Sequence, residues 1–92
     1  MSDAPLSKSL EIKNKLGLHA RAAALWVQTV ARLDAAIQVT KDDQTVDGKS
    51  ILGLMMLAAA QGSSIVVSAS GPQAAEALLA IEELIEQRFN EE

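Results

Sequence analysis

Cysteine is absent from this chain, which excludes disulfides and thiolate metal sites and makes a reducing compartment the simplest setting. Only two residues are aromatic, Trp26 and Phe89, and the basic residues form no stripe. With neither a stacking platform nor a groove that tracks phosphates, no nucleic-acid partner is expected. Long apolar runs are missing too. The charge-free stretch from Ile51 to Ala75 is interrupted by Gln61 to Ser64 and by Gly71-Pro72, so it reads as two elements and not as a membrane span. The start, MSDAPLSKSLEIK, has neither a basic n-region nor an apolar h-region, so a soluble cytoplasmic protein without membrane insertion is expected. Basic charge is scarce in the second half. Residues 1–50 carry seven basic and six acidic groups and residues 51–92 one and six, and most of the net charge of -4 falls in the last helix.

What is present alternates between two periods. From Leu6 to Lys13 the residues Leu6, Leu10 and Ile12 share one face with Lys8 while Ser7, Ser9, Glu11 and Lys13 share the other, the pattern of a half-buried strand. After Gly17 the period lengthens: Ala23, Trp26, Val27 and Val30 lie on one helical face, and a first helix is predicted over roughly Ala20 to Leu33. AAIQVTK, the turn DDQ and TVDG form a hairpin. KSILGLMMLAAAQG supplies Ser50 as an N-cap, an apolar run of helical length and Gly62 as a stop. SSIVVSAS is a fourth strand, and after Gly71-Pro72 the residues Ala74, Leu78, Ile81, Ile85 and Phe89 mark the inner stripe of a last helix. The order βαββαβα predicts an α+β open-faced sandwich, one domain over residues 1–92, with strands apolar on one face and three helices to cover it.

The single histidine, His19, sits in KLGLHARAAALW where the first helix begins. The first turn of a helix exposes unpaired N–H groups and the positive end of its dipole, so it attracts anions and disfavours a second positive charge. An imidazole kept uncharged there has a lone pair that can attack phosphorus, and the phosphoryl group formed would rest against the open amides. Arg21 could add planar donors to the same oxygens. Phosphoryl transfer needs chiefly positioning and charge stabilisation, and Gly17 just before the site permits close approach of backbone or partner. The plainer reading is that His19 only caps the helix or lies idle on the surface. Metal binding has no support, because there is no second His and no Cys, and Asp42, Asp43 and Asp47 lack the spacing of a calcium loop. A Ser-His-Asp triad lacks a supporting motif.

LGLHARAAA followed by GKSILGLMML resembles the HPr family, the histidine-containing phosphocarrier proteins of the bacterial phosphoenolpyruvate-dependent sugar phosphotransferase system, over about Lys8 to Phe89. The resemblance implies a sheet order of 1-4-2-3, no cofactor, and phosphorylation of His19 on Nδ1. The residues themselves leave Nδ1 and Nε2 open. It further implies enzyme I as donor, EIIA-type proteins as acceptors, Arg21 as the assisting arginine, and the amides of Ala20 and Arg21 as completing the pocket. The family usually has HARPAA, whereas Ala22 stands here in place of the proline. Proline presets the first helical turn, and alanine does not.

Ser50 is an N-cap by its position, a hydrogen bond worth about 1 kcal/mol. By resemblance GKSILG is also the segment that an HPr kinase/phosphorylase modifies on serine in some members. If Leu54 and Leu57 point inward, Ile51, Leu52 and Met55 face outward, and clustered exposed aliphatics suggest partner docking, in line with the family's binding face. A monomer is expected. Two other functions share this architecture: a regulatory relative acting through protein contacts, and a small-ligand-sensing module. The latter gives no reason for GLHAR at a helix start.

Overall fold

The computed structural model describes residues 4–91, so the first three residues of the start, and Glu92, lie outside it. Strand β1 (Leu6–Glu11) is followed by helix α1 (Ala20–Val30), strands β2 (Ala36–Lys41) and β3 (Gln44–Asp47), helix α2 (Ile51–Met56), strand β4 (Ser64–Ser70) and helix α3 (Ala74–Glu86). The four strands form one antiparallel sheet in the order β1-β4-β2-β3, as the resemblance implied. Register places Leu10 opposite Ile65 and sets Lys8, Val67, Val39 and Val46 in one row across the sheet. Ile65, Val67, Val39 and Ile37 are buried beneath the helices, with Trp26, Val30, Leu54, Ile81 and Ile85 closing over them. Lys8 shares this inner side, as its spacing predicts, but it lies on an edge strand and pairs with Glu82 of α3. The opposite side of the sheet carries the row Ser9, Val66, Thr40 and Thr45, and none of the three helices lies on it.

Strand β1 ends at Glu11 and not at Lys13, and each of the three helices also ends elsewhere than the sequence pattern predicts, for a tertiary reason. Helix α1 stops at Val30, not Leu33, because the next turn is held from outside: Lys49 Nζ donates to the Leu33 carbonyl at 2.8 Å, and Asp34 and Gln73 exchange two bonds. Helix α2 is only six residues long. The Ala58 amide bonds back to Met55, Ala58 turns left-handed (φ 49°), and the Ala59 carbonyl is thereby freed to accept the Leu18 amide at 2.9 Å. Phe89 is buried as predicted, but not as part of α3. It is reached through a turn in which Arg88, Phe89 and Asn90 are all left-handed (φ 56°, 54° and 57°).

Candidate functional site

The loop between β1 and α1 is fixed by backbone contacts that its small residues permit. Asn14 and Gly17 close a turn, with the Gly17 amide on the Asn14 carbonyl at 3.2 Å and the Asn14 side-chain amide returning to the Gly17 carbonyl at 2.8 Å. Gly17 has φ +69° and lies so near the next segment that a Cβ would stand 2.4 Å from the Ala59 carbonyl oxygen. Its predicted close approach is therefore to this chain's own backbone. Leu18 is buried and bonded to Ala59, and His19 follows it, partly exposed at the start of the helix.

His19 is the N-cap of α1. Its backbone is extended (φ -78°, ψ 179°) and its Nδ1 accepts the Arg21 amide at 3.2 Å. The cap thus uses the ring atom that the resemblance assigns to the phosphoryl group, so the capping reading does not exclude the other. The side chain is 32% exposed. Among the described residues, the amides of Ala20 and Ala22 have no acceptor, and neither has the Arg21 guanidinium. These are donors for an anion beside Nδ1. His19, Arg21 and Ala22 line an open cleft of about 390 Å³ together with Leu16, Phe89, Asn90 and Glu91.

Two members of this corner were not legible in the sequence. Glu91 accepts the Asn14 side-chain amide at 3.0 Å and the Leu16 backbone amide at 3.2 Å, and its Oε2 lies 3.7 Å from His19 Nε2. The Asn14 bond, reinforced by the Leu16 and Lys15 backbones and by the nearby imidazole, holds its carboxyl below the ordinary 4.5 against partial desolvation. Asn14 is buried, and its Oδ1 meets no donor. An asparagine three residues before a turn glycine was the available signal for Asn14; a glutamate in an acidic tail gave none for Glu91.

Ser50 caps α2, its Oγ accepting the Gly53 amide at 2.9 Å. Leu54 and Leu57 are buried, while Ile51, Leu52 and Met55 are exposed, Leu52 at 68%. Met56 is exposed with them, one more than the sequence reading named. None of these residues lines the His19 cleft.

Comparison with known proteins agrees with this geometry. The family model described as the PTS HPr component phosphorylation site matches residues 6–87. The chain belongs to the HPr family. It is 50% identical over 86 residues to the phosphocarrier protein HPr of Neisseria meningitidis serogroup A, covering 94% of this chain and 97% of that one. Among solved structures, an HPr of Thermoanaerobacter tengcongensis superposes with a TM-score of 0.90 at 47% identity, over 95% of this chain and 98% of the other. Crh, the Bacillus subtilis catabolite repression protein crystallised as a domain-swapped dimer, superposes at 0.73 with 37% identity, over 86% and 91%. As an HPr-family member this is a phosphocarrier protein of the phosphotransferase system, a participant in group transfer and not an enzyme.

Proposed function

We propose that the chain acts over its whole length, 1–92, as one cytoplasmic, monomeric phosphocarrier unit that takes a phosphoryl group on Nδ1 of His19 from enzyme I and passes it to EIIA-type proteins. The observation that carries this reading is the position of Nδ1, a lone-pair nitrogen at a helix start beside donors without acceptors. The lone pair forms the new N–P bond while the donor's bond to phosphorus breaks and its electrons leave with the donor. The Arg21 amide, which Nδ1 can then no longer accept, turns to a phosphoryl oxygen. Ala20 N–H and the Arg21 guanidinium supply further donors where charge spreads in a loose transition state. Leu52, Ile51 and Met55 form the docking surface for donor and acceptor in turn. Ser50 is a regulatory phosphorylation site for an HPr kinase/phosphorylase, adding charge at the edge of that surface.

Incubation with phosphoenolpyruvate and enzyme I should attach one acid-labile phosphoryl group, seen by mass spectrometry and absent in His19→Ala. A label that persists in that variant would overturn the assignment. The Ser50 reading fails if such a kinase labels Ser50→Ala as well as it labels the natural chain.

A further inference from the structure

The chain leaves α3 and then makes three successive left-handed residues, none of them glycine, before Glu91 reaches the His19 corner. Such a backbone is unfavourable for L-residues and persists only where the surroundings hold it. Two contacts hold it here. Phe89 is buried in the core, and the Glu91 carboxylate, 16% exposed, is anchored on Asn14 and Leu16. The anchored oxygen Oε2 is also the one that faces His19 Nε2. The imidazole is therefore addressed from both sides, by an N–H donor at Nδ1 and by a carboxylate at Nε2.

Resting on the reading of His19 as phosphoryl acceptor, we propose that Glu91 is a positioning residue that keeps the imidazole proton on Nε2, so that Nδ1 presents its lone pair to phosphorus. A neutral imidazole has one N–H and one acceptor nitrogen, and which is which follows from the partners each nitrogen meets. At 3.7 Å the carboxylate is beyond hydrogen-bond distance but within range for attraction to an N–H dipole. Once Nδ1 bonds to phosphorus with Nε2 still protonated, the ring carries positive charge and the contact becomes an ion pair. When the phosphoryl group departs, the electron pair of the N–P bond returns to Nδ1 and the ring is neutral again, with its proton where it was. No proton moves in either direction of the transfer. Arg21 is the other charged side chain lining the cleft.

The test is the nitrogen-15 spectrum of the imidazole in the unphosphorylated protein, without enzyme I, at a pH about two units above the ordinary histidine midpoint. The natural chain should show one tautomer, with the proton on Nε2 and Nδ1 unprotonated. Glu91→Gln and Glu91→Ala should both lose that single-tautomer signature while the backbone amide spectrum away from the corner stays as it was. A single Nε2–H tautomer retained in both variants would overturn the proposal, because the Arg21 amide alone would then suffice. That outcome would leave phosphorylation of His19 standing. A natural chain that shows one tautomer yet takes no label would instead refute the carrier reading.

Discussion

A single ring nitrogen, Nδ1 of His19, caps one of the open amides at the start of helix α1 and is, in the function proposed above, also the atom offered to phosphorus. The two uses succeed one another, since a phosphoryl oxygen can take over the amide that Nδ1 gives up. The loop that delivers the ring to the helix start turns at Gly17, where a side chain would meet the Ala59 backbone. In Gly17→Ala the new methyl would strike the Ala59 carbonyl at 2.4 Å on a backbone already at φ +69°. We expect a loss of about 2–3 kcal/mol in urea unfolding, with the Leu18–Ala59 bond weakened and the His19 signal displaced. At this scale the sequence was informative where neighbours in sequence are neighbours in space: His19, Arg21 and Gly17 lie within one turn of chain. It held a local cue for Asn14, in its spacing from Gly17, and none for Glu91, and the bond that joins the two across 77 residues has no local pattern.

The first turn of α1 carries the departure from the family pattern. The Ala22 amide has no acceptor among the described residues, so a proline there would break no bond and would narrow the unfolded chain. Ala22→Pro should therefore raise stability by roughly 0.4–1 kcal/mol in chemical denaturation. A fall of similar size would mean that the buried Ala22 methyl has no room beside it for the ring. Element ends were the least legible part of the sequence. The apolar run after Ser50 promises a helix nearly to Gly62, yet α2 stops at Met56 because Ala59 must be delivered to Leu18. Likewise α3 stops at Glu86 because burial of Phe89 and anchoring of Glu91 outweigh helical continuation. Composition and period state which face is apolar, and they are silent about which distant amide will claim a given carbonyl.

In the molecule as a whole, the two ends of the chain are tied together by carboxylates of its final segment. Lys13 pairs with Glu86 at 2.6 Å and Lys8 with Glu82, both at exposed or half-exposed positions where such pairs contribute little. The Glu91 anchor is different, because its acceptor oxygens replace water for a buried amide. Its carboxyl is held below 4.5, so it contributes stability that is complete at neutral pH and is lost as the pH falls through and below that value. Acid titration should thus release residues 88–91 before the sheet unfolds. Faster exchange of the Leu16 amide would report it, and in Glu91→Gln that acid step should be gone. Fold class, element order and the inner face of the sheet were all legible at this scale. They follow from alternation along the strands and from the need to cover one apolar side.

That the helices leave one side of the sheet bare has a practical consequence for anyone wishing to watch this molecule work. A thiol introduced at Ser9 or Thr45 would be unique in a chain that has no other, and would stand on the reverse side from the helices. A fluorophore or a bead tethered there would let successive encounters with donor and acceptor be followed without obstructing the imidazole.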